Sequence, residues 1–77
     1  MALVGTAATG EAFYAANGCA NCHGANANDG FAPSLVGASC SLLFDKMIGV
    51  VSHNGGIVEG VTEQDAADLE AWLASLQ

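Results

Sequence analysis

The chain has 77 residues, of which 52% are hydrophobic, and its eight acidic side chains against one basic side chain give a net charge of −7 at pH 7. This length allows one domain, and a chain so short buries only about 60% of the surface that it exposes when unfolded. The negative charge argues against binding to nucleic acid or anionic membrane surfaces, and no run of about 18 apolar residues is present to span a membrane.

The first predicted element is a helix that either Thr6 or Thr9 can cap. It should end near Gly18, because an Asn-Gly pair suits a left-handed stop. The residues before this helix are small and carry no pattern. We therefore expect a flexible lead-in over residues 1–9 and a single folded domain over residues 10–77.

Two cysteines three positions apart, Cys19 and Cys22, are followed at once by His23. This is the attachment signature of a c-type haem. Each thiol adds across one vinyl group of the porphyrin, and the two-residue gap lets one tight turn carry both thiols. The histidine then lies under the iron, where its imidazole serves as the proximal ligand. We predict one covalent haem c, whose apolar disc would also supply core to a short, alanine-rich chain.

Two other interpretations of the same residues remain open. The cysteine pair could be half of a zinc site that Cys40 and His53 complete. It could also be a redox-active dithiol, although no strand–helix–strand pattern surrounds it.

A loop follows, and then comes a segment that contains the only proline of the chain, Pro33, with Leu35 two positions later. Pro33 is either a rigid loop corner or part of a segment that passes beside the haem. In the second case a backbone carbonyl would accept a hydrogen bond from the other ring nitrogen of His23 and so fix its tautomer.

A second helix can begin at Ser39 or Ser41. Its apolar residues recur at three- and four-residue steps, which predicts one buried face with Asp45 and Lys46 opposite. The predicted buried residues are Leu42, Leu43, Met47, Ile48 and Val51.

The last helix has the clearest pattern. Thr62 with Asp65 three positions later forms a capping-box-like start. An apolar stripe follows over Ala66, Leu69, Trp72, Leu73 and Leu76. The acidic residues in the N-terminal half suit the helix dipole, and we interpret them as a solvated face. They are Glu63, Asp65, Asp68 and Glu70.

In this order, these elements resemble a small bacterial class I cytochrome c. The resemblance is carried by Gly10 with an aromatic residue four positions later, by the Cys-x-x-Cys-His-Gly stretch, by the Ala-Pro-x-Leu-x-Gly stretch over residues 32–37, and by a closing helix that contains Trp72. It implies an all-α, cytochrome c-like fold of three to four short helices wrapped around one covalent haem. In that fold Trp72 packs on the first helix. The resemblance also implies haem contacts from Phe13, Tyr14, Pro33, Leu35 and Trp72.

One feature of the family is missing. The family places a Met-Pro pair before the closing helix, and this methionine is the distal iron ligand. Here Ile57 or Val58 occupies that place, and neither side chain can bind iron. We expect His53 as the distal ligand, which would give a low-potential bis-histidine iron. The alternatives are Met47, Asn54, or no protein ligand.

The first functional hypothesis is one-electron transfer without catalysis, because no nucleophile–base pair is visible. The second is a haem with an open or weakly held distal position that binds small ligands or turns over peroxide. The third is a structural zinc domain. A redox partner should present a neutral or basic docking face.

Haem attachment to this signature is completed outside the cytoplasm in bacteria, so we expect a periplasmic or other extracytoplasmic location, with a signal peptide or upstream region removed. Cys40 is left over by the haem hypothesis. It is either a small buried hydrophobic residue or the site of an intermolecular disulfide in a dimer.

Overall fold

The computed structural model describes residues 3–24, 27, 28, 30, 35–49 and 57–76. Its helices are α1 (Ala7–Ala16), α2 (Ala20–His23), α3 (Cys40–Met47) and α4 (Glu63–Ser75). No strand occurs in these ranges, so the all-α class is confirmed for the part of the chain that they cover.

Helix α1 starts at Ala7, after the cap position at Thr6 that is one of the two predicted starts, and so overlaps the expected lead-in over residues 1–9. Thr6 is the N-cap, and its backbone N–H donates to Oδ1 of Asp68 on α4 at 2.8 Å. Nε2 of Gln64, also on α4, donates to the carbonyl of Val4 at 2.9 Å. The segment before α1 is therefore tied to the last helix by hydrogen bonds that no local pattern reveals.

Helix α1 crosses α4 with the two backbones in contact at Gly10. A Cβ atom at this position would collide with the backbone of Asp68 and would lie 2.9 Å from the Cα atom of Leu69. Glycine is required here because any side chain would push the helices apart. One helical turn later, the rings of Tyr14 and Trp72 meet at a centroid distance of 4.7 Å. Trp72 thus packs on the first helix, as predicted.

Helix α4 begins with the predicted capping box. The backbone N–H of Asp65 donates to Oγ1 of Thr62 at 3.1 Å, and that of Thr62 donates to Oδ2 of Asp65 at 2.9 Å. The interpretation of the acidic residues as a solvated face is wrong for Asp68, which is 5% exposed. Its carboxylate accepts the Thr6 bond described above and another from Gln64 at 2.9 Å. Burial of a carboxylate requires such partners.

Helix α3 is capped by Ser39, whose hydroxyl accepts from the backbone N–H of Leu42 at 3.3 Å. Its predicted buried face is wrong in two places, since Leu42 is 45% and Ile48 39% exposed. Val51 lies outside the described residues. The buried side chains are Cys40, Leu43 and Met47.

The difference has a local cause. The helix ends after two turns, at a glycine with φ of +86°, so only a narrow face of it reaches α4. Within the described ranges, no helix is both long enough and apolar enough to cross a membrane.

Candidate functional site

The two cysteines and the histidine lie in a short segment that follows α1 directly. We call residues Cys19–Gly24 the Cys–His turn. Helix α1 ends in a Schellman motif, in which the N–H of Gly18 donates to the carbonyl of Ala15 at 3.4 Å and that of Cys19 to the carbonyl of Tyr14 at 3.3 Å. Gly18 has φ of +68°, the left-handed conformation that this motif needs. The end of α1 thus sets the starting position of Cys19.

The backbone of the Cys–His turn is helical. Cys19 has φ −60° and ψ −32°, and the next four residues form α2. The N–H of His23 donates to the carbonyl of Cys19 at 3.1 Å, and that of Gly24 to the carbonyl of Ala20 at 2.9 Å. Residues three apart in a helix share a face. The two cysteine positions therefore lie on the same side of a single turn, and the histidine ends that turn.

The exit from the turn is fixed by further hydrogen bonds. Gly24 has φ of +84°, and its carbonyl accepts from the N–H of Ala27 at 3.2 Å and from the hydroxyl of Tyr14 at 2.5 Å. The carbonyl of His23 accepts from the N–H of Gly30 at 3.1 Å. Both ends of the Cys–His turn are therefore attached to neighbouring structure.

The donor set fits a covalent haem. Cys19 and His23 are both half-buried, so each keeps part of its surface accessible. Two thiol-bearing positions on one helical turn, with an imidazole at its end, are what thioether attachment and proximal iron ligation require. The residues that could hold the group are close in sequence, and hydrogen bonds at both ends of the turn hold the backbone that carries them.

The other predicted site residues divide into three sets. Tyr14 and Trp72 are buried and touch each other, and Leu35 is half-buried against the same core. Met47, an alternative distal ligand, is buried in that core. Pro33, His53 and Asn54 lie outside the described residues.

The structure does not test the zinc interpretation, because His53 and the side chain of Cys22 lie outside what it describes. In the ranges that the structure covers, no three side chains of His, Cys, Asp or Glu come together. Cys40 is 4% exposed and packs in the core at the start of α3. Its burial also argues against the dimer, because an intermolecular disulfide would require α3 to open. Within the described residues Cys40 forms no disulfide.

Sequence reasoning missed the hydroxyl of Tyr14 as a structural group. A signal was available, because a buried tyrosine needs a partner for its hydroxyl while a phenylalanine does not. The burial of Asp68 carried no comparable signal.

No protein-family model, no curated protein and no solved structure matches this chain.

Proposed function

We propose that this chain is a monohaem c-type cytochrome domain with a cytochrome c-like fold, and that it transfers single electrons. One observation carries the proposal: Cys19, Cys22 and His23 belong to one helical turn that is fixed to the end of α1. A Cys-x-x-Cys-His sequence that occurs by chance in a loop would not need a helical turn that is hydrogen-bonded to the preceding helix.

The bound haem would supply an iron that alternates between the ferrous and ferric states. In this proposal the two cysteines hold the group through thioethers, and His23 binds the iron. Tyr14 and Trp72, which are buried and in ring contact, would help to exclude water from the group. A dry, rigid surrounding favours electron transfer because little has to reorganise when the charge changes.

The distal ligand is proposed to be His53. Met47 is a weaker candidate because it is 6% exposed within the core cluster, and its carbonyl accepts from the N–H of Val58 at 2.7 Å. A methionine held in this way by its neighbours serves packing. A His53-ligated iron would have a low potential.

A second candidate function is reversible binding of a small ligand at an open distal position. It is favoured by the side chains that replace the expected methionine. Ile57 is exposed and Val58 is half-buried, and neither has an atom that can bind iron. Addition of carbon monoxide to the reduced protein separates the two functions, since an immediate Soret change indicates an open site.

The charge of the chain supports a partner with a neutral or basic docking face. Haem attachment supports an extracytoplasmic location. Both are part of the same proposal and depend on the haem.

The first experiment is expression with a c-type maturation system, followed by mass spectrometry and the pyridine haemochrome assay. We expect a red protein whose mass includes one haem. Cys19→Ala should remove one of the two thioethers. Cys40→Ala, the matched control, should leave both thioethers in place. A colourless protein would refute the proposal, and stoichiometric zinc in it would favour the zinc domain.

The second experiment compares His53→Met with Met47→Leu. If His53 binds the iron, its replacement changes the low-spin ferric spectrum and raises the midpoint potential, whereas Met47→Leu changes neither. A ferric spectrum that changes in Met47→Leu but not in His53→Met would identify Met47 as the ligand. If neither spectrum changes, both residues are excluded.

A further inference from the structure

We infer that Tyr14 is a positioning residue that closes the Cys–His turn at both ends and so fixes the backbone that carries His23. The part of this inference that concerns iron ligation depends on the proposed function. The part that concerns the backbone does not.

Tyr14 bonds to the first and the last residue of the turn. Its carbonyl accepts from the N–H of Cys19 at 3.3 Å, and its hydroxyl donates to the carbonyl of Gly24 at 2.5 Å. Between these two points the turn is held by its own helical hydrogen bonds, including that from His23 to Cys19. A change in the turn would break at least one of these bonds. One residue of α1 therefore holds the whole segment.

The direction of the Tyr14 hydroxyl is itself determined by α4. The tyrosine ring is 3% exposed, and the ring of Trp72 lies against it at 4.7 Å with an interplanar angle of 46°. Rotation of the tyrosine side chain would displace Trp72 from the core. Burial also makes the hydroxyl costly to leave without a partner. The last helix thus aims the hydroxyl at the Cys–His turn.

The acceptor is equally constrained. Gly24 adopts φ of +84°, a conformation that residues with a Cβ rarely take, and its carbonyl also accepts from Ala27. The adjacent residue is His23, whose carbonyl accepts from the N–H of Gly30. The backbone of His23 is thus held on both sides, which limits where the base of its side chain can lie. Loss of the hydroxyl should alter the proximal ligand without any contact between Tyr14 and the iron.

The test is Tyr14→Phe, which keeps the ring and its contact with Trp72. The matched control is Ser75→Ala, because the hydroxyl of Ser75 also donates to a backbone carbonyl, that of Trp72, at 2.5 Å. Both variants are compared with the unchanged protein by amide hydrogen exchange, by the NMR signals of the His23 ring in the reduced state, and by midpoint potential.

We expect amides of the Cys–His turn to exchange about tenfold faster in Tyr14→Phe, the ratio that corresponds to 1.4 kcal/mol and hence to one hydrogen bond. Amides of α3 should change by less than about twofold. The His23 ring signals and the potential should shift in Tyr14→Phe and stay unchanged in Ser75→Ala. A role in stability alone would speed exchange in all helices and leave the ring signals in place, and that result would overturn the inference.

A protein purified without haem would refute the proposed function, yet the exchange comparison in that protein would still decide whether Tyr14 holds the turn. If Tyr14→Phe cannot be produced, the inference is tested on the unchanged protein by the exchange rate of the Tyr14 hydroxyl proton. A Tyr14 hydroxyl proton that exchanges slowly with solvent supports the inference, and one that exchanges rapidly overturns it.

Discussion

Helices α1 and α3 both pack against α4, but they do so through different kinds of contact. At α1 the two backbones touch at Gly10, and a hydrogen bond joins the N-cap residue Thr6 to Asp68. At α3 the contact includes buried side chains and a hydrogen bond from the N–H of Cys40 to Oε2 of Glu70 at 3.0 Å. Backbone contact permits few relative positions, whereas side-chain packing can adjust. The Cys–His turn follows the helix that has the stricter contact.

The largest effect is expected at the backbone contact. Gly10→Ala places a methyl group inside the backbone of α4, so the helices must separate, and we expect a loss of about 3 kcal/mol or more in the free energy of unfolding. Denaturant unfolding measures it. Glu11→Ala, on the exposed face of the same helix, is the control and should change stability by less than about 0.5 kcal/mol. Equal effects of the two substitutions would show that α1 and α4 do not approach closely.

At α3 the comparison is between two neighbouring leucines. Leu43 is buried and Leu42 is 45% exposed. Leu43→Ala should therefore cost about 2 to 3 kcal/mol through lost burial and a cavity, and Leu42→Ala less than about 1 kcal/mol. Thermal or denaturant unfolding measures both. A loss at Leu42→Ala as large as that at Leu43→Ala would show that both leucines are buried, as the sequence pattern predicts.

The buried carboxylate of Asp68 links the N-cap of α1 to α4 by a hydrogen bond. Asp68→Ala removes the acceptor of the Thr6 and Gln64 bonds, and we expect a loss of about 2 kcal/mol. Glu63→Ala, an exposed acidic residue of the same helix, should cost no more than about 1 kcal/mol through the helix dipole. Faster amide exchange at Thr6 in Asp68→Ala alone would locate the loss. No difference between the two variants would mean that the carboxylate is solvated after all.

The smallest effect is expected at the start of α3. Ser39→Ala removes the cap of the Leu42 N–H and should cost about 1 kcal/mol, measured by unfolding. Ser39→Asp, which keeps an acceptor at this position, should restore most of the loss. A similar loss in both variants would show that the hydroxyl does not act as a cap.

Features that depend on neighbouring residues were predictable from the sequence. The capping box at Thr62, the stop at Gly18 and the cap at Ser39 each need only a few adjacent residues, and all three are present. The ring contact of Trp72 with α1 followed from the resemblance. The candidate site was predictable because the spacing of Cys19, Cys22 and His23 is by itself a recognisable motif.

Features that depend on distant partners were not predictable. The burial of Asp68 involves a hydrogen bond from the backbone N–H of Thr6, a residue 62 positions away. The face that α3 buries depends on where the helix ends and on which side chains of α4 lie against it. The periodicity of the sequence therefore wrongly included Leu42 and Ile48 among the buried residues. The hydroxyl of Tyr14 finds its acceptor only once the Cys–His turn is formed.

If a haem is attached as proposed, the enclosed position of Cys40 has a consequence for that attachment. In an oxidising compartment, a third thiol is a competitor that can be linked to the wrong cysteine before the intended reaction takes place. With its side chain inside the core, Cys40 is withdrawn from that competition as soon as α3 docks. The order of events would then matter, because early packing of α3 would leave Cys19 and Cys22 as the thiols open to haem attachment.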